Sequence, residues 1–591
     1  FRNCIDISGK HKAKSSVNFG HRIYYGESHS FDDIAKEAYI ERNPLTATVT
    51  DKVTAKSRLK FIGYDKIIGA YKFTLNGTNF STAYLEKNHN YYYGGTITFS
   101  GDDKYDRNIY VWGNGAAGCL EGAVILDDKK ILTPIQVEVC KNFAGEREEP
   151  YYDPSDSEYG DSIYPLVVKK NEQLTHTLLN LYQNWGTNAI KQISSISFHI
   201  SYYHLSTGVT ESNCIAPYFV YGRDGWTLPD FRGASGIMWS NQPQFNSVGR
   251  LRFLSYVNSD GATVRSEYTG SNIISSGTSY ADIEYSYRSD CNSMEYTLRH
   301  VEFPQNDENR TYYTMDLVFH RDIDIADVRN NFTLFDFDGR FQAFKTTSYK
   351  SANGSIVDVT NNISKVSAPQ LYTLSKDSPF FSYYNYDPDS SANKNDVMNF
   401  AMLIRDYSVT IEGKAWEGNL ILRNSLFLNG SNMLNLAALS LDLGDTSFKS
   451  GDRITMSFIL LPYGVKNMTD DPNVHYVYED SIENPWRIKS AEIGTIVENE
   501  YLAEINCTDN TAQFTVTGGR NACVVRVNGF TKLVRPKLQE LVNNEWVDIT
   551  YSVEEYDGYQ VNYTFDGNYS YSFVINMEKP SDERTFRVTS E

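Results

Sequence analysis

From Pro44 onward this chain is written in short runs of Tyr, Phe, Val, Ile and Thr closed off by Gly, Asn, Asp and Ser, and that punctuation constrains it more than any motif does. Runs such as TATVTDKVT, AYKFTL before Asn-Gly, YYYGGTITFSGDD and NIYVWGNG have strand length and turn-forming ends, and none sustains a helical period. At 591 residues the chain exceeds what one hydrophobic core supports, because cores stop growing at ~250–300 residues. An aromatic share of 14%, with 44 Tyr and 31 Phe, favours strands further.

The sequence therefore predicts an all-β, multi-domain protein made of antiparallel β-sandwiches. Two large sandwich or jelly-roll units are expected at 45–265 and 266–492, followed by a small Ig-like β-sandwich at 493–591. In the last unit YLAEINC, AQFTVTGG, ACVVRVNG, PKLQELV, EWVDITYS, YQVNYTF and YSYSFVINM are evenly spaced strands, and Cys507 and Cys523 could bridge them. Residues 1–44 read as an N-terminal arm with a short helix at FDDIAKEAYIE, where Asp32 and Asp33 suit a helix N-terminus. KKNEQLTHTLLNLY (169–182) echoes KSGDRITMSFILLPY (449–463), which suggests two related sheet-bearing units. A turn followed by a buried strand would look the same without kinship.

Composition removes several functional classes. A net charge of −19 argues against nucleic acid as a partner, since phosphate binding needs a basic face. No apolar run is long enough for a membrane span, and the chain opens on Phe1 without Met, as a mature or trimmed fragment would. Scattered N-x-S/T sequons permit a secreted glycoprotein, so an extracellular or cell-surface location is expected. The sequence has no G-x-S-x-G elbow, P-loop, H-E-x-x-H or Rossmann fingerprint.

The densest chemistry lies between His199 and Tyr256. Trp226 and Trp239, with Tyr203, are set among Gly, Pro, Ser and Asn, the composition of shaped loops on strands. Flat aromatic rings match the apolar face of a pyranose, while Asn213, Gln242, Gln244 and Arg232 can bond its hydroxyls. Equally, such rings can simply cap a sandwich. In SSISFHISYYH (194–204) alternation separates Ile196 and Phe198 from His199 and Tyr203, and His204 ends the run before the loop STGVTESN. His204 has the pKa range for acid or base work, and Glu211, Asp224 and Asp230 follow it. Asp224 also serves the turn Arg-Asp-Gly-Trp, and Asp230 beside Arg232 can be an ordinary loop ion pair.

A second candidate is GCLEGAVILDDKKILTPIQVEVC (118–140), read as two strands around Asp127–Lys130. If Leu126 faces Ile131, then Glu121 and Glu138 fall on one face, one diagonal step apart. Glycoside hydrolysis needs two carboxyls about 5–9.5 Å apart, and this pair could meet that spacing, although polar-face Glu residues usually only face solvent. The acidic loop at 146–161 (Glu146, Glu148, Glu149, Asp153, Asp156, Glu158, Asp161) could hold Ca2+, without the spacing of an EF-hand. No other cofactor is implied.

The resulting expectation is a secreted carbohydrate-active enzyme, most simply a glycoside hydrolase. Its catalytic pool is Glu121, Glu138, Glu211, Asp224, Asp230 and His204, with carbohydrate as the partner. The alternative is a non-catalytic glycan-binding or surface-assembly protein. A polysaccharide lyase fits less well, because acidic substrates call for a basic cleft.

Overall fold

The computed structural model describes residues 30–50, 59–67, 69–75, 91–114, 120–127, 132–134, 161–182, 194–197, 206–209, 228–232, 247–275, 281–302, 310–326, 332–339, 343–385, 399–430, 432–463, 475–497, 499, 501–550, 559–563 and 567–590. As the punctuation predicts, the described residues are nearly all β, in several mostly antiparallel sheets, with helix confined among them to Phe31–Arg42 and the short run His475–Glu483. The chain divides into Phe1–Leu45 and Thr46–Glu591.

The first unit carries the helix Phe31–Arg42. Ser30 caps it: its hydroxyl accepts from the Asp33 amide at 3.2 Å, and the Asp33 carboxylate accepts from the Ser30 amide at 3.0 Å. This reciprocal pair uses two of the amides a helix start leaves unbonded. Replacing Ser30 by Ala is expected to cost about 1 kcal/mol of helix stability, read as roughly fivefold faster amide exchange across Phe31–Arg42.

In the second unit, Thr46–Thr50, Tyr91–Ser100, Gln173–Tyr182, Leu120–Asp127 and Leu132–Pro134 belong to one sheet. Leu59–Asp65, Ala70–Leu75, Arg107–Asn114 and Asp161–Val168 form another. Phe73, Phe99, Val111 and Tyr164 are buried, and edge-on ring contacts, Phe73 with Phe99 and Tyr164 with His176, join the two layers.

The central sheet is large. Sixteen strands form one hydrogen-bonded system that folds over into two layers. The layers are joined where Ser247–Val257 pairs with Thr263–Ser275 through Ser255↔Arg265, Tyr256↔Val264 and Val257↔Thr263. The sheet thus continues across position 265, where the sequence suggested a unit boundary. Rings fill the space between layers: Phe253 meets Tyr313 and Phe458, Phe335 meets Phe381 and Phe400, and Phe337 meets Tyr383. Among the described residues of the central sheet, aromatic rings are thus a main part of the interlayer packing.

The C-terminal sandwich has two five-stranded sheets and begins at Arg487, earlier than expected. All seven expected strands are present, joined by Arg487–Ile493, Thr495–Val497 and Glu583–Ser590. No disulfide bridges it, because Cys507 and Cys523 are both free thiols. It shares an apolar cluster with the central sandwich through Tyr312, Leu403, Ile459, Tyr501, Leu502 and Val524.

The two echoing segments adopt the same turn. At Lys169 and at Lys449 the amide is bonded by the carboxylate three residues on, Glu172 at 2.8 Å and Asp452 at 2.7 Å. The third residue of each turn has positive φ, Asn171 at 59° and Gly451 at 91°. Strands Gln173–Tyr182 and Arg453–Tyr463 follow.

Candidate functional site

Glu121 lies on the strand Leu120–Asp127, where the pairing steps from Leu120↔Tyr182 to Gly122↔Leu181. It is thus the extra residue of a β-bulge, a device that re-aims side chains and recurs next to active sites. The hairpin register differs from the expected one: Leu126 faces Leu132, not Ile131. A one-residue slip exchanges the two faces of a strand, so the parity that put Glu121 and Glu138 together no longer follows. Glu138 itself lies outside the described residues.

Within the aromatic stretch, STGV is a strand and not a loop. Ser206–Val209 pairs with Ser194–Ser197 through Ile196↔Thr207 and its neighbours. Ser194–Ser197 approaches Leu120–Asp127, and the two short strands also touch the central strands Ala281–Ser289 and Met294–Glu302. The backbone that leads into His199–Tyr256 therefore runs beside the strand that carries Glu121. Tyr203, His204, Glu211, Asn213, Asp224, Trp226, Trp239, Gln242 and Gln244 lie outside the described residues. So does the acidic loop, except Asp161, which opens the strand Asp161–Val168.

Asp230 and Arg232 lie on Leu228–Arg232, which flanks Ser247–Val257 with Leu228↔Leu251, Phe231↔Gly249 and Arg232↔Ser247. A Cβ at Gly249 would fall 2.4 Å from the Asp338 carbonyl oxygen, so only glycine permits this approach. Beyond that strand stands a ladder of cross-strand ion pairs that sequence reading missed. Arg250 faces Asp338 and Arg252 faces Asp336. Arg250 donates from Nε at 3.0 Å and from Nη2 at 2.8 Å to Asp338 Oδ2, while Arg252 bonds Asp336. Leu251, Phe253, Phe335 and Phe337 of the same strands belong to the interlayer core, which puts the ladder on the outer face. Asp338 Oδ1 is buried and has no hydrogen-bond partner. Guanidinium and carboxylate forks of this kind can bridge neighbouring hydroxyls of a ligand.

A second cluster lies inside the central sandwich. His300 Nε2 and Glu302 Oε1 are 2.6 Å apart, both side chains are at most 1% exposed, and the Thr311 hydroxyl donates weakly to the same oxygen. Burial pushes the Glu302 carboxyl above its usual range, and the neighbouring His300 opposes that shift. Full enclosure makes this pair an element of the core, closed to ligands. Its only sequence trace is the alternation His-Val-Glu on one strand.

The third cluster is the junction with the C-terminal sandwich, built around residues 479–486. A five-residue π-helix, Glu479–Glu483, places Asp480 and Ser481 against Arg310. Arg310 Nη1 donates to Asp480 Oδ1 at 2.6 Å and to Ser481 Oγ at 2.8 Å. Arg520 bonds Glu479 at 2.7 Å and stands 3.9 Å from Asp480. With Trp486, Tyr501 and Cys523 among their neighbours, these side chains line a cavity of about 20 Å3, room for about one water molecule. Burial raises the Cys523 thiol well above its usual pKa, so it is a packed, unreactive group.

Among the described residues no cluster of His, Cys, Asp and Glu could hold a metal, and no helix is long and apolar enough to cross a membrane.

No protein-family model and no curated protein sequence matches the chain. Among solved structures it is similar to the galactosidase domain of alpha-galactosidase-sucrose kinase AgaSK, at 11% identity and a TM-score of 0.25 over 46% of this chain. It is also similar to the alpha-galactosidase from Lactobacillus brevis, at 8% identity, with the same TM-score and share of this chain. The chain covers only 40% and 39% of those two proteins. Likeness at this level carries no argument about activity.

Proposed function

We propose that this protein acts on carbohydrate outside the cell, as a glycoside hydrolase whose site forms where the Glu121 strand meets the His199–Tyr256 stretch. The single observation that carries the reading is the approach of Ser194–Ser197 to Leu120–Asp127, with Glu121 at a bulge. In this reading Glu121 is one reacting carboxyl, and its partner comes from Glu138, Glu211, Asp224 or Asp230, with His204 near them. Trp226, Trp239 and Tyr203 stack on the sugar, and Asn213, Arg232, Gln242 and Gln244 bond its hydroxyls.

A second reading, a glycan-binding protein without turnover, is favoured by the Arg250–Asp338 and Arg252–Asp336 ladder. There each carboxylate is engaged by a guanidinium, an arrangement suited to holding hydroxyls rather than transferring protons. The test is reducing-sugar release on a panel of neutral and acidic polysaccharides, with Glu121→Gln beside the wild type. Turnover that the variant loses while still binding supports the hydrolase. Binding without turnover selects the second reading, and neither binding nor turnover removes both.

A further inference from the structure

The outer face of the C-terminal sandwich presents an unbroken row of side chains that no sequence pattern joins. Across its five strands Ile493 pairs with Gln513, Gln513 with Arg587, Arg587 with Gln539, and Gln539 with Asp548. Their strand neighbours Phe514, Phe586, Val588 and Leu538 are buried in the sandwich core, so the row faces outward. At about 4.8 Å between strands it is about 19 Å long.

Trp546 lies at one end of this row, on the edge strand Glu545–Asp548. It is fixed in two ways. Its strand returns from Pro536–Val542 through Asn543 and Asn544, both with positive φ (53° and 67°), the backbone of a tight two-residue hairpin. Its ring lies under the Arg587 guanidinium, 4.4 Å from the ring centre. Arg587 is held in turn, donating to Gln539 Oε1 from Nε at 3.2 Å and from Nη2 at 2.7 Å. Gln539 thereby uses its carbonyl oxygen internally and keeps its NH2 as a donor.

We propose that this face is a carbohydrate-binding surface for a neutral polysaccharide, with Trp546 as the stacking ring and the Gln513–Arg587–Gln539–Asp548 row bonding successive hydroxyls. A rigid ring next to planar amide and guanidinium groups matches the alternation of apolar ring faces and hydroxyl edges along a sugar chain. Neutrality follows from the charges. Arg587 and Lys537 stand against the single carboxylate of Asp548, which lies 3.9 Å from Lys537, so the row carries only one cation beyond balance, too little to hold a polyanion to a chain of net charge −19. The proposal stands apart from the reading of the Glu121 region, since none of these residues belongs to it.

The test is affinity electrophoresis of the full chain in native gels containing galactomannan, xyloglucan or mixed-linkage glucan, with polygalacturonate as the acidic control. The wild type is expected to be retarded in at least one neutral gel and not by polygalacturonate. Trp546→Ala is expected to weaken that retardation at least tenfold, Gln539→Ala partly, and Trp546→Phe least, with unchanged far-UV circular dichroism. Because Trp546 and Glu121 belong to different sheets, the loss in Trp546→Ala separates this surface from the proposed active site. No retardation in any neutral gel, or equal retardation of Trp546→Ala, overturns the proposal. Concentration-dependent self-association that Trp546→Ala abolishes without any polysaccharide also overturns it, in favour of a protein interface through the exposed Leu541 beside it.

Discussion

Arg310→Ala should lower the unfolding free energy by about 3–5 kcal/mol, the usual loss when one member of a buried ion pair is removed. Arg310 is 3% exposed and Asp480 2%. Without the guanidinium, Asp480 keeps only the adjacent Ser481 hydroxyl at 2.8 Å and Arg520 at 3.9 Å. The charge would then be enclosed between two sandwiches with little to offset its desolvation. Trp486 reports the event, because its ring lines the same cavity and its Nε1 donates to the Val524 carbonyl at 2.7 Å. Urea denaturation followed by its fluorescence should show an early transition in the variant. Two comparisons make the result decisive. Arg453→Ala removes an exposed pair with Asp316, side chains 55% and 35% accessible, and should change stability by no more than about 1 kcal/mol. Replacing Arg310 by Met and Asp480 by Leu together should recover most of the loss, since apolar substitutes of similar volume need no partner. If Arg310→Ala behaves like Arg453→Ala, the junction is not held by this pair.

Acid should weaken the N-terminal sandwich by about 3 kcal/mol between pH 6.5 and pH 4, through His176. Its Nε2 is 2.8 Å from the Tyr164 hydroxyl, and both side chains are buried. Phe99 stacks on the ring at 6.2 Å. Burial alone brings the imidazole down to about 4. The sign follows directly: between about 4 and 6.5 the unfolded chain binds a proton that the folded one refuses, so stability rises with pH across that window. The loss begins as pH falls below the unfolded value and is complete once pH passes the folded one. Replacing His176 and Tyr164 by Phe together removes both polar groups and leaves no orphaned partner. Urea midpoints at pH 7 and pH 4.5 should then differ far less in the double variant than in the wild type. Equal differences would mean that other groups carry the acid sensitivity.

The sequence disclosed a good part of this architecture, for identifiable reasons. Strands such as AQFTVTGG alternate cleanly, so both their existence and their buried face were legible: Phe514 and Val516 point inward, Gln513 and Thr515 outward. The helix was legible from Asp32 and Asp33, and the twin turns from Lys, a residue tolerating positive φ, and an acid. The 118–140 hairpin failed at its register, because Val124, Ile125 and Leu126 are all apolar and give no parity signal; the turn decides instead. The Arg250–Asp338 ladder and the Arg310–Asp480 pair were invisible because each joins residues that only the fold brings together, 88 and 170 positions apart. In the candidate site, composition marked an aromatic, polar stretch, whereas the neighbour of the Glu121 strand depended on tertiary packing.

The layout of the central sheet also sets a timetable for the growing chain. Ala281–Ser289, Met294–Glu302 and Thr311–Phe319 form a meander of adjacent strands that can pair as soon as it is made. Its next neighbour, Arg453–Tyr463, is encoded far downstream, and the Arg453–Asp316 contact spans 137 positions. At about 5–20 residues per second, that gap leaves the Thr311–Phe319 edge unpaired on the order of ten seconds during synthesis. Chaperone cover, and aggregation when it is missing, should therefore fall on this strand edge and on that of Phe332–Asp338, which waits for Asn432–Leu441, rather than on the finished surface.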